Sequence, residues 1–108
     1  MHYIQFINHA SFFISNGKKG ILTDPWYEGD VFHKGWNLLY ENSDKDILEV
    51  LDKTDFIWIS HEHPDHFSLH FFKKYLDIIK KNNIKIIFQK TFDKRVINFL
   101  NKINIITI

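Results

Sequence analysis

Three histidines and two carboxylates fall within six consecutive residues, His61-Glu62-His63-Pro64-Asp65-His66. Imidazole nitrogens and carboxylate oxygens are the donors that suit zinc, iron and manganese. Side chains of an extended chain alternate with a period of two, so His61 and His63 project to one side and can grip one ion together. A turn at Pro64 would let Asp65 and His66 address a second position beside the first. The competing reading is a polar loop whose histidines only hydrogen-bond and cap the next helix. A single histidine would favour that reading. Three crowded imidazoles with no metal among them would be hard to justify.

The elements that must position this cluster follow from hydrophobic periodicity. Residues 2–7, 10–15 and 20–24 read as short strands, with Asn16-Gly17 as a tight hairpin turn between the second and third. Pro25 ends the third strand because it has no N–H to give a sheet ladder. Residues 26–43 form a long loop carrying Trp26, Tyr27, Phe32, Trp36 and Tyr40. A short helix over 44–52 precedes a buried strand over 55–60, DFIWIS, which delivers the cluster at its C-terminal end. Open α/β sheets usually hold their sites there. A helix then starts near Ser68, with Leu69, Phe72, Leu76 and Ile79 as its core-facing stripe, and stops at Asn82 and Asn83. Residues 84–88 read as another strand. Thr91 is the expected N-cap of a further helix with the stripe Phe92, Val96, Phe99 and Ile103, and 104–108 read as a last strand. The order predicts an α/β (α+β) fold, a mixed sheet with helices on one face. Residues 1–108 read as a single domain whose final strand has no closing element, so the domain is expected to be truncated on its C-terminal side.

Composition sets the outer bounds. Of the 108 residues 44 % are hydrophobic and 25 % charged, which is ordinary globular usage. Eleven Phe, four Tyr and three Trp supply bulky core material. Cysteine is absent, which removes disulfides, thiolate nucleophiles, Cys-ligated zinc and Cys-held iron–sulfur clusters from this stretch. That fits a reducing cytoplasm, the expected location. The opening MHYIQFINHASFF has no basic leader before a long apolar run, so neither a signal peptide nor a membrane span is expected. The net charge of +1 conceals a split. Residues 1–68 carry five Lys against eleven Asp and Glu; residues 69–108 carry eight Lys and one Arg against two Asp. The basic half could face nucleic acid or an anionic lipid surface. Its lysines alternate with an apolar helical stripe, so solvated helix faces are the better reading and nucleic acid is disfavoured as a partner.

His61-x-His63-x-Asp65-His66 resembles the HxHxDH signature of the metallo-β-lactamase superfamily. Three preceding stretches extend the likeness: Ile7-Asn8-His9-Ala10-Ser11, Leu22-Thr23-Asp24-Pro25-Trp26 and Gly35-Trp36-Asn37-Leu38-Leu39. Together they are similar to the metallo-β-lactamase-like portion of the CMP-N-acetylneuraminate hydroxylase family and its bacterial relatives, over roughly residues 3–75. The resemblance implies two facing sheets flanked by helices, an αββα sandwich of which this chain would be the N-terminal half. It implies two divalent metals, zinc with iron or manganese as alternatives. His61 and His63 would hold the first metal, Asp65 and His66 the second. Asp24 would be a supporting carboxylate that orients a ligand imidazole, and His9 is assigned to the pocket. Asp65 also takes the expected catalytic role, positioning a metal-activated water or accepting its proton. The activity implied is metal-dependent hydrolysis of an ester, phosphoester, lactone or amide in a small-molecule substrate.

Two departures shape that expectation. The hydroxylase's own chemistry resembles that of a Rieske centre, which needs two Cys ligands, and this stretch has none. The family also completes its site with a further His, a bridging Asp and a last His, whereas no His follows His70. The 108 residues alone are expected to be inactive. Pairing with a missing C-terminal half, or homo-oligomer formation, is the expected partnership. The alternative to a hydrolase is a non-catalytic metal-binding domain or a subunit of a sugar-nucleotide-modifying complex. Among the other histidines, His2 reads as bland, His33 as a residue of the aromatic loop that could face substrate, and His70 as a surface or packing residue.

Overall fold

Residues 2–29, 31, 35–89 and 94–107 are described by a computed structural model. The elements in chain order are β1 (Tyr3–Asn8), β2 (Ser11–Ser15), β3 (Gly20–Thr23), α1 (Asp44–Asp52), β4 (Phe56–Ile59), α2 (Leu69–Lys74), α3 (Leu76–Lys81), β5 (Lys85–Phe88) and α4 (Arg95–Lys102). The five strands form one sheet in the order β1-β2-β3-β4-β5. β1, β2 and β3 pair antiparallel through tight turns, while β3, β4 and β5 pair parallel with helices in the crossovers. Short connections permit only antiparallel neighbours; the longer helical ones allow the parallel pairs.

Local chemistry fixes the turns. Asn16 Oδ1 accepts from the backbone N–H of Lys18 and of Lys19, and Gly17 takes a φ of +90° that a side chain would resist. Ser43 caps α1 by accepting from Asp46 N, and Ser68 caps α2 by accepting from Phe71 N. Asn83 and Asn104, with φ of +53° and +60°, close α3 and α4 in the left-handed conformation that Asn tolerates after a helix.

Alternation divides the sheet into two unlike faces. Phe13, Leu22, Ile57, Ile59, Ile86 and Phe88 are buried against residues of the helices, among them Leu51, Phe71, Phe72, Ile79 and Leu100. On the opposite face Ile4, Phe6, Phe12, Ile14 and Trp58 stay exposed. There Ile4 pairs with Ile14 and Phe6 with Phe12, the latter rings 5.4 Å apart.

Three expectations need adjustment. The helix expected from Ser68 to Asn82 breaks at Tyr75 (φ −105°, ψ 17°) into α2 and α3. The break buries the Tyr75 ring in the core and lets its hydroxyl donate to Asp44 Oδ1 at 3.0 Å. The buried stripe therefore runs through Phe71, Phe72, Tyr75 and Ile79, and Leu69 is exposed. The strand expected over 104–108 amounts to a single parallel bridge, Ile86 to Thr107, because α4 leaves only a few residues beside β5. The expected cap Thr91 and stripe residue Phe92 lie outside the described residues.

Candidate metal centre

One edge of the sheet collects the polar residues. β3 and β4 run parallel with Thr23 opposite Trp58, so their C-terminal ends coincide. Asp24 N–H donates to the Trp58 carbonyl at 2.8 Å and brings the Asp24 carboxylate beside the Ser60–His66 segment. The β1–β2 turn is tied to the same edge. Thr23 Oγ1 donates to the Ala10 carbonyl at 2.9 Å and accepts from Phe12 N–H at 2.8 Å, which places His9 there. His9 and Asp24 both have positive φ, 50° and 37°. Non-glycine residues hold such a backbone only where the surroundings over-determine it, and these two flank the cluster.

Asp65 sits at the centre. It is buried, and its Oδ2 lies 3.0 Å from His9 Nε2 and 3.3 Å from His66 Nε2. Its Oδ1 is buried with no hydrogen-bond partner among the described residues. The turn that presents it is closed by the His63 carbonyl, which accepts from His66 N–H at 2.9 Å and from Phe67 N–H at 2.8 Å. One ligand atom each from His9, Asp65 and His66 lies within 4.8 Å of the others. The His61 ring centroid is 4.0 Å from that of His66 and 4.6 Å from that of His63, so all three motif imidazoles cluster at this edge. His61 and His63 stand outside the group of three, His63 on the exposed side.

Asp24 supports this cluster from below. Its Oδ1 accepts from Ser60 N–H at 2.7 Å; its Oδ2 lies 2.7 Å from Ser60 Oγ and 3.0 Å from His66 Nδ1. Ser60 Oγ is in turn 2.8 Å from His61 Nδ1. The Ser60 hydroxyl is the link that the residue spacing alone did not single out. Its only signal is its place at the end of the DFIWIS strand, next to His61.

A buried carboxylate oxygen without a partner costs about 1–3 kcal/mol, and more for a charged group. Here that oxygen belongs to a carboxylate whose other oxygen is flanked by imidazole nitrogens. A divalent cation satisfies such a donor set, so the residues fit one.

The aromatic loop walls the edge. His9 packs edge-on against Trp26, with centroids 5.1 Å apart, and meets Trp36 at 6.3 Å. A cleft of about 570 Å³ opens beside His9, lined by Trp26, Trp36, Leu38 and Tyr40 among others. Asn8 Nδ2 secures the loop by donating to the Tyr40 carbonyl at 2.6 Å and to Asn42 Oδ1 at 2.8 Å. Farther out, Lys74 bridges Glu28 and Asp44, and His70 meets Glu28 at 2.7 Å. The Lys74 hydrogen bond, then that of His70, holds the Glu28 carboxyl below its usual range. His70 is thus part of a surface hydrogen-bond network around Glu28, His2 is exposed, and His33 lies outside the described residues.

Residues 3–105 match the family described as "Beta-lactamase superfamily domain". The chain belongs to this family. Cytidine monophosphate-N-acetylneuraminic acid hydroxylase of Xenopus laevis is 37 % identical over 99 residues, which cover 92 % of this chain and 16 % of that protein. The enzyme of the same name from Cricetulus griseus is 45 % identical over 65 residues, covering 60 % of this chain and 11 % of its own length. The chain therefore spans about a sixth or less of these relatives. Among solved structures, a protein described as a possible metal-dependent hydrolase from Veillonella parvula superposes with a TM-score of 0.66 at 18 % identity, covering 99 % of this chain and 41 % of that one. A variant of the β-hydroxylase CmlA superposes at 0.63, also at 18 % identity, covering 99 % and 20 %. Identity this low speaks to the fold alone. The mixed sheet with helices on one face is that of the N-terminal half of a metallo-β-lactamase-like fold. No helix among the described residues is long and apolar enough to cross a membrane.

Proposed function

We propose that this chain is the N-terminal part of a metal-dependent hydrolase domain of the superfamily. Its ligands are His61, His63, Asp65 and His66, with zinc as the leading metal and iron or manganese as alternatives. The observation that carries the reading is Asp65, buried with Oδ2 between His9 and His66 and Oδ1 without a partner among the described residues. A divalent ion held there would supply a water of lowered pKa at neutral pH. Around it the chain's own residues divide the work. Asp65 would orient that water or take its proton, and Asp24 fixes the His66 ring. His9 stands at the mouth of the aromatic cleft, which admits a small-molecule substrate. The absence of cysteine fits a cytoplasmic setting.

A second reading rests on the relatives, which are named as hydroxylases. In it the domain binds metal as part of a larger sugar-nucleotide-modifying protein and hydrolyses nothing. Assays of a generic phosphodiester and a generic lactone with zinc or manganese separate the two. They compare the 108-residue chain with a form extended past Ile108. The expected result is negligible turnover by the 108 residues and clear turnover by the extended form, lost in His63→Ala. No turnover by a metal-loaded extended form contradicts the hydrolase and favours the second reading. Robust turnover by the 108 residues, abolished by His63→Ala, contradicts the half-site.

A further inference from the structure

Hydrogen counting around Ser60 leads to a definite protonation pattern. The Asp24 carboxylate only accepts hydrogen bonds, and its Oδ2 lies 2.7 Å from Ser60 Oγ. The single Ser60 O–H proton is therefore directed to Asp24. Toward His61 Nδ1, 2.8 Å away, Ser60 Oγ then has only lone pairs to offer. His61 Nδ1 must carry the proton, which leaves the lone pair on Nε2. His66 obeys the same logic by a shorter route. Its Nδ1 lies 3.0 Å from Asp24 Oδ2 and 3.3 Å from Ser60 Oγ, so it too carries its proton on Nδ1.

We infer that Ser60 is a positioning residue: its hydroxyl relays the Asp24 charge to His61 and fixes that imidazole as the Nδ1–H tautomer, with Nε2 free to bind metal. One carboxylate thereby sets two ligands, His66 directly and His61 through the hydroxyl. The consequence for metal binding rests on the metal-centre reading given above; the tautomer itself does not. The Ser60 backbone reinforces the arrangement, because its N–H donates to Asp24 Oδ1 at 2.7 Å and holds the hydroxyl on one side of the carboxylate. Removing the hydroxyl takes the partner from His61 Nδ1 and leaves His66 its carboxylate, so the two imidazoles separate in their response.

The test uses the metal-free chain with ¹⁵N-labelled histidine, at about pH 8, above the ordinary histidine range. Long-range ¹H–¹⁵N correlations report which ring nitrogen carries the proton. The expected wild-type result is the Nδ1–H form for both His61 and His66. Ser60→Ala should convert His61 to a tautomer mixture while His66 keeps its Nδ1–H form, and Ser60→Thr should restore His61. Zinc titration of the same samples should show affinity reduced about 10–100-fold in Ser60→Ala and recovered in Ser60→Thr. An unchanged His61 tautomer in folded Ser60→Ala overturns the inference, even if zinc binds normally. So does an Nε2–H form of His61 in the wild type, which decides the matter should Ser60→Ala fail to fold. The expected tautomer shift in a chain that binds no zinc supports the Ser60 role and contradicts the metal centre instead.

Discussion

Asp24 Oδ2 lies 3.0 Å from His66 Nδ1, joining the end of β3 to the histidine motif across 42 residues of sequence. The carboxylate is buried and the imidazole half-buried, so water competes weakly for the contact. The contact turns His66 Nε2 toward Asp65.

Asp24→Asn keeps the shape of the side chain but removes the charge that orders Ser60 and His66. Zinc affinity should fall about 10–100-fold, the usual scale when a ligand's supporting partner is lost. Isothermal titration on samples with matching circular dichroism spectra checks this, and unchanged affinity tells against the supporting role.

Gly20 is required by close approach. A Cβ at this position would run into the Lys53 carbonyl and the Phe13 ring, and the Lys53 carbonyl is backbone that cannot swing away. Gly20→Ala must push β3 from α1, with an overpacking cost of about 1–3 kcal/mol. For a domain of this size that lowers Tm by roughly 4–8 °C for each kcal/mol. A Tm equal to wild type would mean that the β3–α1 contact is looser than described.

Alkaline stability follows from two buried phenols. Burial, and secondarily the Asp44 hydrogen bond, pushes Tyr75 up to about 12, and burial pushes Tyr27 still higher. Unfolded tyrosines ionise near 10, so above that pH the unfolded chain releases protons that the folded chain retains. The contribution is complete below pH 10 and is lost as pH rises through about 12. Urea midpoints should stay level from about pH 8 to about pH 10 and fall from about pH 10 to about pH 12, with a shallower decline in Tyr27→Phe. That variant also leaves the buried Ser11 hydroxyl without its 2.6 Å partner. Midpoints that stay level between about pH 10 and about pH 12 contradict the burial of these rings.

The exposed sheet face should make the isolated chain self-associate. Phe6 is 60 % and Trp58 40 % exposed on the same face of the sheet as Ile4, Phe12 and Ile14, and apolar groups exposed together favour association. Sedimentation velocity should show concentration-dependent association, reduced in an Ile4→Thr, Phe6→Ser double variant, since both replacements are polar and Thr suits a strand. A wild-type chain that stays monomeric at every concentration contradicts this expectation.

The strands were legible because their signals are local. Alternation within FFIS and FIWI marks inner and outer faces, and Asn16-Gly17 marks the turn. The break at Tyr75 was not legible. It depends on a ring burying in the core and a hydroxyl reaching Asp44, 31 residues earlier in sequence. The loop Trp26–Tyr40 showed only its aromatic content; that Trp26 lies against His9 follows from the Thr23–Ala10 bond. The density of donors at His61–His66 marked the candidate site, because its spacing is local. The contact of His9 with Asp65, 56 residues apart, required the sheet to bring the β1–β2 turn to the end of β4.

Zinc titration of the chain, with bound metal confirmed by elemental analysis, tests the central claim most directly. Wild type should bind zinc. The His61→Ala, His63→Ala double variant and Asp65→Asn, each folded by circular dichroism, should bind it far more weakly. Equal metal content in all three, or none in the wild type, would contradict the metal centre.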